Sequence, residues 1–302
     1  MASAQSLTPS TALMKLGWIV NLLLLIGVIG LGIYAWHRGN QPAEPSFKLS
    51  TQTASAAAKV SVALKTGGGY ALEKRDNTWY LSAPMQARAD QTQVQRILDL
   101  LAATSKEQLP ATDLKRFDLD APAMSVTIDG QTFSFGTTNP LTQDQYLATG
   151  SSVYLVQSYY GSLVPARADR LLTHSLFRQG ETPTAFTFKS FTVTQKDGKW
   201  TLSPLPSTEK ERPSQDELNR WVDDWRLASS LSTQVAANKA AAETISVKLS
   251  DGKTLDFAVL RKEPELVLVR TDEKLEFHFS GEMSKRLLQP LPAKEPGRAG
   301  AS

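Results

Sequence analysis

The residues able to do chemistry are few and scattered. Asp113, Asp118 and Asp120 form an acidic cluster in ATDLKRFDLDAP. Carboxylate oxygens grouped in this way suit a divalent cation. The spacing lacks the calcium-loop pattern, however, and Lys115 and Arg116 sit among the acids. The segment reads as a solvated loop leading into a strand, with Phe117 and Leu119 as buried pegs. Asp223 and Asp224 lie between Trp221 and Trp225. A carboxylate pair in a cleft can do acid–base work, but helical geometry turns both away from the centre of the Trp stripe. Arg220 and Arg226 lie close enough for ordinary surface pairing.

The three histidines, His37, His174 and His278, are far apart. His278 alternates with Phe277 and Phe279, so on a strand it faces the opposite side from them, outward. The glycine run Gly67–Gly69 lacks the spacing of a phosphate-cradling loop and precedes a strand, so it reads as a turn. Serines and threonines are plentiful, but none sits in a G-x-S-x-G elbow or an S-x-x-K helix start. With no cysteine in the chain, disulfides, thiolate metal sites and cysteine nucleophiles are excluded. Trp79, Trp200, Trp221 and Trp225 could stack on sugar rings if exposed, but their pattern places them inward. The expectation is that no residue is catalytic, cofactor-binding or metal-ligating, and that the chain is not an enzyme.

Over 302 residues there are 33 basic and 30 acidic side chains. The resulting net charge of +3 gives no ground for a nucleic-acid partner. From Leu16 to Trp36 the chain reads LGWIVNLLLLIGVIGLGIYAW, without a charge. A helix rising ~1.5 Å per residue over this stretch spans the ~30 Å core of a bilayer. Trp18 lies near one end and Tyr34 and Trp36 at the other, as in an interfacial aromatic belt. The run is too long for a cleaved signal and no small-x-small site follows it. A short N-terminal tail before such a segment behaves as a signal anchor, with the larger domain carried outside.

Beyond the span, an internal repeat stands out. LEKRDNTWYLS (Leu72–Ser82) aligns without a gap on VTQKDGKWTLS (Val193–Ser203). In each, Asp-Asn or Asp-Gly separates two alternating runs, which predicts a hairpin with a tight turn. After Asp90 and Ser214, both good N-caps, come two amphipathic patterns. Val94, Ile97, Leu98 and Leu101 match Leu218, Trp221, Val222 and Trp225 at i, i+3, i+4, i+7. Further strand pairs follow, Ser125–Phe135 against Ser246–Phe257 and Tyr146–Val156 against Leu266–Phe279, and short helices close each copy near Leu163–Leu172 and Met283–Leu288.

The predicted fold is α+β: an N-terminal transmembrane helix, then a duplicated unit of antiparallel hairpins and amphipathic helices. The expected divisions are a cytoplasmic tail (1–15), an anchor (16–36), a linker and lead-in (37–66), two repeats (67–178 and 179–289) and a disordered tail (290–302).

An N-terminal anchor, W-Y-L-S-x-P, A-R-A-D opening a helix, FDLDAP (Phe117–Pro122) and strands ending in VYLV resemble a family of uncharacterised domains. The resemblance covers Tyr70–Leu288 and is most specific over Trp79–Asp90 and Phe117–Pro122; the second copy lacks a counterpart of FDLDAP. It implies a membrane-anchored bacterial envelope protein, single-pass in the inner (plasma) membrane with its C-terminal domain in the periplasm or outside. It also implies a gene neighbourhood of ABC-transporter and gliding-motility-type auxiliary subunits, and carries no catalytic residue.

The expected partners are the lipid bilayer, through residues 16–36, and a membrane protein such as ABC-transporter subunits. The expected role is that of a non-catalytic accessory or scaffold protein. The alternative is a module that binds envelope glycan or polymer.

Overall fold

A computed structural model describes residues 11–39, 46–66, 68–237 and 240–290, with the backbone alone for 11–20, 37–39 and 210. The chain divides into two units between Ser46 and Phe47. In the first, Thr11–Gly39 form one helix, α1, which starts at Thr11 rather than at Leu16. Its side chains from Asn21 to Trp36 are all exposed. Among the described residues no helix is long and apolar enough to cross a membrane. The side chains of 16–20, most of the expected tail 1–15 and residues 291–302 of the expected disordered tail lie outside the described residues.

The second unit holds two large antiparallel sheets. Its first half runs β1 (Phe47–Lys48), β2 (Lys59–Leu64), β3 (Gly69–Arg75), β4 (Thr78–Ala83), β5 (Ala87–Arg88), α2 (Gln91–Leu98), β6 (Thr104–Ser105) and β7 (Gln108–Pro110). It continues with β8 (Met124–Ile128), β9 (Gln131–Thr138), β10 (Gln145–Thr149), β11 (Ser152–Val156) and α3 (Tyr159–Ser162). The second half runs β12 (Pro183–Thr187), β13 (Thr192–Lys196), β14 (Lys199–Ser203), α4 (Gln215–Arg226), β15 (Ser232–Val235), β16 (Glu243–Leu249), β17 (Thr254–Arg261), β18 (Leu266–Arg270), β19 (Leu275–Phe279) and α5 (Gly281–Leu288).

The nine-stranded sheet has the order β5-β4-β3-β2-β8-β9-β10-β11-β7, and the eight-stranded sheet β14-β13-β12-β16-β17-β18-β19-β15. Set aside β5 and the two orders correspond strand for strand. Local chemistry accounts for the shared hairpins. Asp76-Asn77, Asp129-Gly130 and Asp197-Gly198 all have positive φ at both central turn positions, the conformation whose twist matches paired strands. Asp90 caps α2 by accepting from the N–H groups of Thr92 and Gln93, while Ser214 and Glu217 form a reciprocal capping box on α4.

Two expectations need correction. Residues 47–64 are not lead-in: β2 lies at the centre of the first sheet, with Val60 and Val62 buried, and β1 pairs with β6. The Ser- and Ala-rich composition hid the alternation of KVSVAL, in which every second residue turns inward. Its counterpart β12 escaped notice too, as did the short edge strands β7 and β15. The closing helix expected near Leu163–Leu172 is instead the single turn α3 and a 3-10 turn at Ala168–Leu171. Between them lies Pro165, which has no N–H to continue a helix.

The hydrophobic stripes behave as expected. Val94, Ile97, Leu98 and Leu101 are buried in the first half, and Leu218, Trp221, Val222 and Trp225 in the second. The indole of Trp225 packs on Phe186 and Phe257 and donates from Nε1 to Leu287 O at 2.9 Å. Trp79 and Trp200 are buried as well. A smaller cluster of Phe117, Leu119 and Val153 seats the FDLDAP loop. There a Cβ on Gly136 would meet Phe117 O at 2.2 Å, so only glycine fits.

Candidate functional site

The residues singled out from the sequence do not converge. Asp113, Asp118 and Asp120 are exposed around a 3-10 turn, with Phe117 and Leu119 buried between them. Asp223 pairs with Arg226 at 3.2 Å, and Asp224 is held by Arg286 of α5 rather than by Arg220. Asp223, Asp224 and Arg286, with Asp216, Arg220 and Met283, line a cleft of about 530 Å3, and the first three are spoken for by these pairs.

His174 Nδ1 lies 3.0 Å from Ser230 O. His278 does face away from Phe277 and Phe279, but it is only partly open to solvent, between Glu265 at 3.3 Å and Glu276 at 3.0 Å. Of the glycine run, Gly67 lies outside the described residues; Gly68 has φ +81° and Gly69 begins β3. The side chain of His37 lies outside them too. Among the described residues no group of three His, Asp or Glu side chains is placed to hold a metal.

What the fold does bring together is a cluster of buried charge between the two halves, which the sequence alone did not reveal. Arg88 follows the turn after β4 and is 5 % exposed, and Arg270 ends β18 and is 0 % exposed. Both reach the segment that connects the halves. This segment pairs backwards with the first half, through Thr173 N to Arg88 O, and forwards with the second, through Ser230 N to His174 O.

Arg88 donates from Nε to Glu273 at 2.9 Å, from Nη1 to Thr173 Oγ1 and Phe177 O, and from Nη2 to Ser175 O at 2.7 Å and Leu176 O. Arg270 grips Glu181 with both Nη atoms at 2.6 and 2.7 Å and Asp272 through Nε at 2.8 Å and Nη2 at 3.0 Å; its Nη1 also donates to Leu176 O at 2.8 Å. Arg178 completes the set with Nε 2.7 Å from Glu273. Three guanidinium groups thus face three carboxylates, Glu181, Asp272 and Glu273.

Burial works against charge throughout this cluster, and the partners decide the outcome. Arg88 is lowered by desolvation, which Glu273 only partly offsets. Burial also disfavours the charge on Arg270, but the hydrogen bonds it donates to Glu181 and Asp272 more than reverse this, so its pKa is raised. Burial alone would raise Glu181 and Asp272; the bonds from Arg270 hold both below the usual carboxylate range. An arginine does not give up its proton in a protein, and every N–H of Arg88 and Arg270 already has an acceptor. Such a constellation fixes position: it ties β5, the connecting segment and the β18–β19 turn into one joint.

Sequence reasoning missed the joint because its members lie 185 positions apart at the Arg88–Glu273 pair. One signal was present. In Leu266, Leu268, Arg270 the arginine takes the same inward parity as the leucines, a charge at a core position.

A family model for a domain of unknown function, DUF4340, matches residues 79–273. The chain belongs to the DUF4340 family. No curated protein and no solved structure matches it. The DUF4340 match opens at Trp79 of β4 and ends at Glu273, so it spans part of each half and includes all six charged residues of the joint.

Proposed function

We propose that this DUF4340 chain is a membrane-anchored accessory or scaffold protein of the bacterial envelope. Its folded unit stands outside the cytoplasm and docks, without catalysing a reaction, on a membrane complex such as an ABC transporter. We further infer that the folded unit arose by duplication, a reading supported by the shared strand order of its sheets.

The observation that carries the proposal is α1. Its side chains from Leu22 to Ile26 and from Val28 to Trp36 are apolar apart from glycines, and all are exposed, with Leu31 at 68 % and Trp36 at 69 %. An apolar helix face of this extent is stable in water only when something covers it, and the charge-free stretch Leu16–Trp36 matches the thickness of a bilayer. The passive role is supported by the charged groups of the joint and by Asp223 and Asp224 of α4, which are held in fixed pairs.

Fractionation and crosslinking in native membranes test this reading. The full chain should sediment with the membrane, resist carbonate extraction and crosslink to transporter subunits. Recovery from the soluble fraction would overturn the anchor, and recovery alone from crosslinked membranes would overturn the accessory role.

A further inference from the structure

The outer edges of the two sheets differ. In the first half β5 covers the edge of β4, pairing Ala87 with Leu81 and Arg88 with Tyr80. Ala89 N then donates to Trp79 O at 3.0 Å. The Gln91 amide finishes the clasp, accepting from Trp79 N at 2.8 Å and donating to Trp79 O at 3.1 Å and Ala89 O at 2.7 Å.

In the second half the corresponding edge strand is β14, with Trp200 and Leu202 in the places of Trp79 and Leu81. Lys199, Thr201 and Ser203 lie in hydrogen-bonded register with β13, so by strand alternation the N–H and C=O groups of Trp200 and Leu202 point outward. Among the described residues none of these four groups has a hydrogen-bond partner. The chain that follows forms no β5. Pro204, Pro206 and Pro213 interrupt it with residues that lack an N–H, and it passes through an exposed 3-10 turn at Glu209–Glu211. Gln215, the counterpart of Gln91, turns instead to Asn219 Oδ1 at 3.3 Å.

We infer that the edge of β14 is a docking site for an extended segment of a partner protein, which adds antiparallel as a ninth strand of this sheet. The first half shows what the segment must look like. Each paired residue donates or accepts through its backbone, so the segment contains no proline at those positions. The inward positions take small side chains, since Ala87 and Ala89 are 6 % and 1 % exposed in the first half. A second copy of β14 is a poorer fit: it would bring Trp200 and Leu202, with α4 packed beneath them, to the place where the first half accepts only methyl groups. The mode is β-strand addition, in which main-chain hydrogen bonds give affinity and alternate side chains give selectivity. It does not depend on the membrane reading of α1.

The test uses the full chain in detergent micelles and, as probe, an acetylated and amidated peptide of the chain's own Met85–Thr92 at millimolar concentration. Hydrogen exchange should slow at Trp200 and Leu202 on adding the peptide, and the slowing should be lost with the A89P peptide, which lacks the donor for Trp200 O. Unchanged exchange in β14, slowing confined to other segments, or peptide-independent protection of β14 that grows with protein concentration would each overturn the proposal; the last would assign the edge to a second copy.

Discussion

The β10–β11 turn and the β18–β19 turn occupy the same place in the two sheets and do different work. In the first, Thr149 faces Ser152 across Gly150-Ser151, and its buried hydroxyl accepts from Gln131 Nε2 at 3.1 Å. In the second, Arg270 faces Leu275 across Thr271–Lys274, a longer turn that carries Asp272 and Glu273. The apolar residues flanking each turn keep the same parity. The arginine at the inward position and the two acids of the longer turn supply half of the joint's charges; Arg88, Arg178 and Glu181 meet them from other parts of the chain. A shared frame leaves specialisation to its turns, where added residues disturb no register.

This comparison is tested most severely at the two equivalent positions. Arg270→Met leaves the largely buried Glu181 without its main counter-charge, and should cost about 3–5 kcal/mol; Asp272, which is exposed, adds little to that loss. Thr149→Val removes one neutral hydrogen bond and should cost about 1 kcal/mol. Urea denaturation of both variants would measure the gap. Equal losses would mean that the charges of the second turn add nothing beyond the ordinary hairpin.

Arg88→Lys comes next. It keeps the charge, but a three-donor ammonium cannot serve Glu273 together with the four oxygens of the connecting segment. A loss of about 1–3 kcal/mol is expected, with faster hydrogen exchange at the backbone bonds from Thr173 to Arg88 and from Ser230 to His174. If exchange there is unchanged, the arginine does not hold the segment.

The joint also makes a claim about pH. Glu181 and Asp272 are held below their ordinary values of 4.5 and 3.8 by Arg270. For carboxylates lowered on folding, the stabilisation is complete above the unfolded pKa values and disappears as pH falls through the folded ones. Urea midpoints of the wild type should therefore drop below about pH 4.5, and those of Arg270→Met should drop less. Parallel pH profiles would show that the arginine is not what lowers the two acids.

The sequence makes one class of feature legible and hides another. Local periodicity and turn chemistry disclosed the hairpins at Asp76, Asp129 and Asp197, the caps at Asp90 and Ser214, and the inward tryptophans, because each is decided by residues a few positions apart. Strand β2 was obscured because alanine and serine alternate with valine too weakly to stand out. The partners of Arg88 and Arg270 were invisible for a different reason: pairing across the halves depends on where two separately folded sheets meet, and no spacing along the chain encodes it. The open edge of β14 lay between these cases. Its prolines could be read, but their meaning appeared only beside the covered edge of β4.

The caps supply the smallest and cleanest comparison. Asp90 alone serves α2, accepting from two backbone N–H groups at 2.8 and 3.1 Å. On α4 the work is shared: Ser214 Oγ accepts from Glu217 N at 3.3 Å, and Glu217 Oε2 accepts from Ser214 N at 2.7 Å. Removing the side chain should cost about 1 kcal/mol in each case, yet the losses should not be equal. Asp90→Ala strips both bonds and the negative charge that favours a helix N-terminus, whereas Ser214→Ala leaves the Glu217 carboxylate on the Ser214 N–H. Thermal unfolding of the two variants should therefore show the larger shift for Asp90→Ala, and the difference should narrow in high salt, where the charge of Asp90 is screened and the Ser214 hydroxyl is unaffected.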